Sequence, residues 1–217
     1  MGDESKSSGA ARARVRARST ITNLVSPLQV HGTTVRRVGE RDLKSGTRTS
    51  LEADGLVTAI GRVGVMVLVA DCLPVALGTR GAVAMVHAGW RGLAGGVLEA
   101  GVRVLRDVAA EANNRAAGAD EPATAATAPA EPVVAVIGPC AGVCCYEAGE
   151  EVHAAFGHSH RQGRRLDLCA HARDRLVAAG VSRVEAVERC TICDERLFSY
   201  RRDGERAGRQ AGVAWLS

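Results

Sequence analysis

Three side chains that can bind a metal stand at the ends of apolar segments in this sequence. His31 precedes a glycine, Cys72 follows the apolar run at 65–70, and His87 ends the run at 82–86. Two imidazoles and one thiolate suit Zn²⁺, and three protein ligands would leave a fourth position for water or substrate. The separations of 41 and 15 residues are not short-range metal spacings. A second interpretation therefore stays open, in which both histidines are structural and Cys72 is a small buried hydrophobe.

A cysteine–histidine pair is a further alternative. Cys140 follows a third apolar run at 133–137, so Cys72 or Cys140 could serve as a nucleophile beside His87. A neighbouring imidazole lowers the pKa of a thiol and accepts its proton. By contrast, Cys190 and Cys193 form a single C-x-x-C without a matching second pair, so we expect ordinary thiols there rather than a metal site.

Several arginines could bind an anion. Arg91, Arg201 and Arg209 are flanked by glycine or aromatic residues, and a guanidinium fits phosphate or carboxylate in a bidentate manner. Arg91 is the first candidate, because it stands among glycines at a predicted helix start, where backbone N–H groups also favour anions. For any single arginine the alternative is a solvated surface charge.

The elements that must position these residues are predicted strands and helices, and the candidates stand near strand ends, where sites on α/β sheets usually lie. The three apolar runs are rich in β-branched residues and bounded by glycine or proline, so they predict strands buried on both faces. Apolar residues recur at helical spacing at 93–112, and a second helix is predicted at 165–179, with Asp167 near its start and Gly180 past its end. A short strand is predicted at 184–187, and an edge strand or loop at 198–202.

Composition limits the classes of function. The chain has 217 residues, 46% of them hydrophobic and 3% aromatic, with a net charge of +4. This is a globular composition without the basic stripe or aromatic platform of a nucleic-acid binder, and no apolar run is long enough for a membrane span. Seven cysteines favour a reducing cytoplasm with free or metal-bound thiols. We expect a disordered arm at 1–20 and a single domain at 21–217, with a flexible Ala/Pro insertion at 116–132.

A set of motifs, in order, carries a resemblance to a known family. The segments are QVHG at 29–32, ADGLVT at 53–58, ADCLPV at 70–75, HAGWRG at 87–92, IGPC at 137–140, CCYE at 144–147, CT at 190–191, FSYRRD at 198–203 and GR at 208–209. Together they resemble the family first called multicopper polyphenol oxidases or laccase-domain proteins. Its members are now understood as purine nucleoside phosphorylases with adenosine deaminase activity. The resemblance extends from about residue 25 to residue 217.

The resemblance implies a fold, a metal and a reaction. The fold would be of the α/β (α+β) class, with central mixed β-sheets in a sandwich-like core flanked by helices. One Zn²⁺ would be bound by His31, Cys72 and His87, with copper as a second choice. The implied partners are phosphate and purine nucleosides, namely adenosine, inosine, guanosine and methylthioadenosine; the oligomeric state is not implied.

The same resemblance suggests roles for individual residues. Cys72 and His87 are catalytic candidates, together with Asp71, which is either an acid or base beside a ligand or a turn residue. The candidates for contacts with substrate or phosphate are Gln29, Asp54, Arg91, Cys140, Arg201 and Arg209.

Two other functions are weighed against this one. A copper-dependent polyphenol oxidase would need many histidines for its copper centres, and only six are present. A family member without catalytic activity is the other alternative. The Thr-Thr-Arg and Ser-Leu-Asn motifs that usually precede the QVHG segment do not occur in this chain, so any substrate contact made there would be missing or replaced.

Overall fold

Apolar runs in the sequence form the strands at the centre of the fold. The computed structural model describes residues 21–44, 48–117 and 131–217. Within these residues the strands are β1 (Asn23–Leu28), β2 (Val35–Arg37), β3 (Arg48–Glu52), β4 (Gly55–Thr58), β5 (Val63–Val69), β6 (Leu73–Thr79), β7 (Ala82–Ala88), β8 (Val134–Ile137), β9 (Arg161–Gln162), β10 (Arg165–Leu166), β11 (Arg183–Ala186) and β12 (Gln210–Trp215). The helices are α1 (Glu40–Lys44), α2 (Trp90–Gly95), α3 (Val97–Ala117), α4 (Glu150–Phe156), α5 (Leu168–Ala178) and α6 (Tyr200–Asp203), and Gly204–Arg206 form a 3-10 helix.

These strands form two main sheets and one short hairpin. The larger sheet has six strands in the order β11-β8-β6-β7-β4-β2, and the smaller has four in the order β12-β5-β1-β3. Both are mixed: β6 pairs antiparallel with β7 and β8, whereas β11 runs parallel to β8 and β1 runs parallel to β5. β9 and β10 pair with each other. The α/β class predicted from the sequence is confirmed.

The smaller sheet packs on one face of the larger sheet, and helix α3 packs on the other. Val65 of β5 shares a buried cluster with Leu56 of β4 and Met85 of β7, which places a core between the sheets. Leu98 and Leu105 of α3 are fully buried in a second core against the six-stranded sheet. Each such aliphatic side chain contributes roughly 1.5–3 kcal/mol by leaving water. The result is the sandwich-like core with flanking helices that the resemblance implies.

Two of the three apolar runs form strands that are buried on both faces, as predicted. They lie in β5 and β7, which face each other across the sandwich. The third run differs, because Val134 and Val136 of β8 are 44% and 41% exposed. β8 lies toward the β11 edge of its sheet, beyond the strands against which the four-stranded sheet packs. One face of β8 therefore stays in contact with solvent.

The helix predicted at 93–112 is divided in two by Gly96. This residue has a left-handed backbone with φ of 96°, and its N–H bonds to the carbonyl oxygens of Gly92 and Leu93 at the end of α2. Glycine adopts this conformation at little cost, and it commonly ends helices for that reason. The apolar spacing resumes directly afterwards at Val97, so periodicity alone does not reveal the break.

The second predicted helix starts at its predicted cap. Asp167 accepts a hydrogen bond from the Ala170 N–H at 2.9 Å, and α5 follows at Leu168–Ala178. The prediction for 198–202 needs correction, because Tyr200–Asp203 form α6 after a cap at Ser199. The strand predicted at 184–187 is β11, shifted by one residue.

Some predictions fall outside these residues or are not tested by them. The arm at 1–20 and residues 118–130 of the Ala/Pro insertion lie outside the described residues. The single domain at 21–217 stays a prediction. In the part of the chain that the structure describes, no helix has the length and apolar character needed to cross a membrane.

Candidate active site

Strand pairing brings the three predicted metal ligands together. His31 lies just after β1, Cys72 lies directly before β6, and His87 lies near the end of β7. β6 and β7 pair antiparallel with Pro74 opposite His87, so Cys72 lies at the end of the same ladder. One ligand atom from each of the three residues lies within 4.8 Å of the other two. Residues that are distant in the chain thus converge on a volume that a single ion could occupy.

A buried carboxylate organises two of these ligands. Asp54 is fully buried, and its Oδ1 accepts hydrogen bonds from His87 Nδ1 at 2.7 Å and from the His31 backbone N–H at 2.9 Å. Its Oδ2 accepts from the Gly32 N–H at 2.6 Å. A carboxylate can only accept, so His87 carries its proton on Nδ1 and Nε2 is left for a metal. Asp54 therefore positions the ligands. It was predicted from the sequence to contact substrate or phosphate, but it is fully buried and does not line the cavity.

The loops that carry the ligands adopt uncommon backbone conformations. His31 and Asp71 have φ of 60° and 86°, in the left-handed region that costs a non-glycine residue about 1–2 kcal/mol. Asp71 is held by its side chain, which accepts hydrogen bonds from the Thr191 hydroxyl at 2.6 Å and the Arg201 N–H at 2.7 Å. These bonds fix the turn directly before Cys72. Asp71 thus occupies a turn and also lines the cavity.

Close packing at the site requires a glycine between β7 and α2. A β-carbon on Gly89 would lie 2.8 Å from Cδ2 of His31 and 3.3 Å from the Cys72 sulfur. One on Gly92 would lie 2.7 Å from the carbonyl oxygen of Gly32. The glycines of the HAGWRG segment therefore allow the ligand loops to approach α2.

The electrostatics of the site favour a thiolate. Burial would raise the pKa of Cys72, but interactions with His31 and His87 outweigh it and lower that pKa to about 6. Burial would lower the pKa of His87, but Asp54 and Cys72 raise it to about 9. Without a metal, the Cys72 thiolate and a doubly protonated His87 therefore pair at neutral pH. An ion that binds both residues would take the thiolate as a ligand and displace the proton from His87 Nε2.

The donor set fits a three-ligand metal site and does not fit a multicopper centre. Two imidazoles and one thiolate match the ligands of catalytic zinc sites. The remaining histidines are engaged elsewhere or lie outside the site: His153 and His171 donate to backbone carbonyl groups, and His160 pairs with Asp174 at 2.6 Å. Across residues 21–44, 48–117 and 131–217, the one other group of converging ligands consists of four cysteines.

A cavity of about 460 Å³ borders the three ligands. This volume lies within the range of about 300–1,000 Å³ that is usual for small-molecule sites. Its charged lining residues are Asp71, Arg91, Arg201 and Arg209, and its larger apolar and aromatic ones are Leu28, Leu68, Trp90, Tyr146, Leu168 and Tyr200. The cavity therefore combines a metal site, flat aromatic surfaces and an excess of positive charge.

The three predicted arginines all reach this cavity. The Arg91 guanidinium lies 4.5 Å from the ring centre of Trp90, and that of Arg201 lies 4.7 Å from the ring centre of Tyr146. Arg209 donates to two backbone carbonyl groups in its own loop. A guanidinium has five N–H donors, so these contacts leave donors for an anion.

Two other predicted contacts do not present free polar groups to the cavity. Gln29 lines it, but its amide exchanges two hydrogen bonds with the backbone of Leu68, at 2.8 and 2.9 Å. Cys140 is buried and lies outside the lining. Its hydrogen bond with Cys169, together with burial, raises the pKa of the Cys140 thiol, so the sulfur stays protonated and is a poor nucleophile. Cys140 is thus a core residue.

The cavity has aromatic walls that the sequence motifs did not predict. Trp90, Tyr146 and Tyr200 line the cavity, together with Leu168 at the start of α5. The chain has only two tryptophans and two tyrosines; Trp90 and Tyr200 stand directly before candidate arginines, and Tyr146 lies in the CCYE segment. Aromatic residues beside candidate arginines in an aromatic-poor chain were the available signal.

Comparison with known proteins identifies the family. The family model described as multi-copper polyphenol oxidoreductase laccase matches residues 1–217. A protein of Xylella fastidiosa named purine nucleoside phosphorylase is 37% identical over 209 residues, covering 87% of this chain and 70% of its own length. The purine nucleoside phosphorylase YfiH of Shigella flexneri is 34% identical over 201 residues, covering 87% and 72%. The crystal structure of the hypothetical protein YfiH from Bacillus licheniformis superimposes with a TM-score of 0.75 at 27% identity, covering 97% of this chain and 80% of that one. This chain therefore belongs to the multi-copper polyphenol oxidoreductase laccase family.

Proposed function

We propose that this protein is a purine nucleoside phosphorylase that acts on adenosine, inosine, guanosine and methylthioadenosine, and that it also deaminates adenosine. The observation that carries the proposal is one cavity with a three-ligand metal site, aromatic walls and three arginines. The names of the Xylella and Shigella relatives support the same reaction. The seven thiols suit a reducing compartment, and the cytoplasm is the location that we propose.

The aromatic side chains are suited to a purine. A purine is flat and aromatic, and rings stack on such surfaces with a gain of about 1–3 kcal/mol per base. Trp90, Tyr146 and Tyr200 provide these surfaces, and Leu68 and Leu168 add apolar area. The base would therefore bind between these walls.

The arginines are suited to phosphate. Arg91 is the first candidate, because its side chain is 61% exposed and its ion pair with Glu151 is long, at 3.7 Å, between two exposed groups. Such surface pairs contribute little, so a dianion can displace the glutamate. Arg201 and Arg209 are near the C-terminal end of the sequence but line the same cavity, and they would complete the anion site.

The two reactions attack different atoms of one nucleoside. In phosphorolysis, a phosphate oxygen bonds to the anomeric carbon, the glycosidic carbon–nitrogen bond breaks, and the purine leaves with the electron pair and takes up a proton. The arginines orient the attacking phosphate, and the aromatic walls hold the leaving purine. In deamination, water replaces the amino group of adenosine and ammonia leaves, so no phosphate is needed.

Zinc is the metal that we propose for His31, Cys72 and His87, where it would supply Lewis acidity to the purine chemistry. The chain's own residues hold that site in shape: Asp54 fixes the tautomer of His87, and Asp71 fixes the turn before Cys72. Asp71 is also the candidate acid or base at the cavity wall, and for that role it would exchange its hydrogen bond from Thr191 for one with substrate.

A product assay with adenosine tests the proposal directly. With phosphate present, we expect adenine and ribose 1-phosphate; without phosphate, we expect inosine and no adenine. Equal amounts of adenine with and without phosphate would indicate a hydrolase. Copper-stoichiometric oxidation of phenols without nucleoside turnover would overturn the proposal.

A matched pair of arginine variants tests the phosphate site. Arg91→Ala should lower kcat/KM for phosphate by roughly 10- to 100-fold, the loss expected for one charge-assisted contact. Arg91→Lys should restore part of it, because an ammonium keeps the charge but lacks the planar fork. Arg183→Ala removes an exposed, ion-paired arginine that does not line the cavity and should behave as wild type. Unchanged phosphate dependence in both Arg91 variants would transfer the role to Arg201 or Arg209.

A further inference from the structure

Four cysteines that are dispersed in the sequence meet outside the active-site cavity. Cys144 and Cys145 follow β8, and Cys190 and Cys193 follow β11. β8 and β11 run parallel, and their pairing continues into the loops, where the Thr191 N–H donates to the Cys140 carbonyl oxygen at 2.9 Å. The C-x-x-C pair, Cys190 and Cys193, therefore lies beside a second cysteine pair, Cys144 and Cys145, on the neighbouring loop.

The sulfur positions fit one tetrahedral ion. All four sulfur atoms lie within 4.8 Å of one another, with the Cys145–Cys193 and Cys144–Cys193 distances at 3.1 and 3.5 Å. A zinc–sulfur bond of about 2.3 Å gives a tetrahedron with sulfur–sulfur edges of about 3.8 Å, in the middle of this range. A cluster of several irons would hold its thiolates farther apart than a single ion does.

Backbone donors around the first cysteine of the C-x-x-C pair complete the site. The Gly142 N–H donates to the Cys190 sulfur at 3.2 Å, and the N–H groups of Ile192 and Cys193 also interact with it. Amide donors aimed at sulfur stabilise a thiolate, and a thiolate is the metal-binding form.

We propose that Cys144, Cys145, Cys190 and Cys193 form a second metal site, a closed tetrathiolate site for a structural Zn²⁺ ion. Four protein thiolates leave no position for water or substrate, as is usual for structural zinc. Cys144 and Cys193 are exposed, which gives the ion a path from solvent. The site does not depend on the reaction proposed above.

The ion would brace one wall of the cavity. Tyr146, directly after Cys145, lines the cavity under Arg201, and Thr191, directly after Cys190, donates its hydroxyl hydrogen bond to Asp71. Joining the two loops through one ion restricts the motion of both. The second metal is thus a positioning element for the active site and not a participant in its chemistry.

Cobalt provides a test that does not rely on activity. The protein is stripped of metal under reducing conditions and titrated with Co²⁺, whose thiolate charge-transfer absorption grows with the number of sulfur ligands. We expect about two ions per chain for wild type and about one for Cys72→Ala, the latter with a tetrathiolate spectrum. We expect about one for Cys193→Ser, with the tetrathiolate spectrum lost. Cys169→Ser removes a cysteine that belongs to neither group and should still bind about two.

A second measurement covers a Cys193→Ser variant that does not fold. In wild-type protein loaded with zinc, the four cysteines should resist alkylation until a chelator is added, as mapped by mass spectrometry. Zinc should also raise the melting temperature of Cys72→Ala, in which the four-cysteine group is the proposed site that remains intact. Rapid alkylation of all four in the presence of zinc, a disulfide among them in protein isolated under reducing conditions, or the same ion count in wild type and Cys193→Ser would overturn the proposal.

Discussion

Replacing Asp54 by asparagine isolates the role of the buried carboxylate behind the metal ligands. Oδ1 of Asp54 accepts from His87 Nδ1 and the His31 N–H, and Oδ2 accepts from the Gly32 N–H. An amide of the same size has only one oxygen. In one orientation the NH₂ group would face the Gly32 N–H, and in the other it would face His87 Nδ1 and the His31 N–H. One of these sets of donors therefore loses its acceptor.

The size of the effect follows from these contacts. Loss of a hydrogen bond that orients a metal-binding histidine typically lowers metal affinity by about 10- to 100-fold, or about 1.4–2.7 kcal/mol. Because the site is buried, an unmatched donor adds about 1–3 kcal/mol of lost folding stability. We therefore expect Asp54→Asn to bind the metal about 10- to 100-fold more weakly and to melt at a lower temperature.

Competition with a chromogenic chelator measures the affinity, and thermal unfolding of the metal-free protein measures the stability separately. Asp174→Asn is the matched control, because Asp174 makes the same kind of carboxylate–imidazole pair with His160, at 2.6 Å, but its side chain is 66% exposed. It should leave metal affinity unchanged. A folded Asp54→Asn protein whose affinity stays within a factor of about two of wild type would refute the role assigned to Asp54.

Three further substitutions test the local geometry. Gly89→Ala would place a β-carbon 2.8 Å from the His31 ring. The protein should stay folded, but its metal content after purification should fall well below that of wild type. Full metal occupancy would contradict the close packing at Gly89. Leu98→Ala removes a fully buried side chain of α3 and should lower the free energy of unfolding by about 2–5 kcal/mol in urea titrations, with a change below about 1 kcal/mol counting against this core. Asp167→Ala removes the cap that accepts from the Ala170 N–H and should cost about 0.5–2 kcal/mol, whereas Asp167→Asn should recover most of it.

Local sequence was sufficient where the physical signal is itself local. Apolar runs predict β5 and β7, and Asp167 directly before a helical apolar pattern predicts the start of α5. A strand or a cap depends on neighbours a few residues away, and that information is present in any short window. The break at Gly96 shows the limit, because periodicity on both sides conceals a change of backbone direction.

The sequence by itself determined the residue types for a metal site, through motifs that resemble a family, and three arginines for an anion. Only the tertiary structure decided how these residues are arranged. The pairing of β6 with β7 brings Cys72 to His87. The buried Asp54 carboxylate holds the His31 loop and the His87 imidazole and does not line the cavity. The parallel pairing of β8 with β11 likewise joins two pairs of cysteines that lie 45 residues apart in the chain. Contacts of this kind depend on sheet register between distant segments, and spacing along the chain does not encode register.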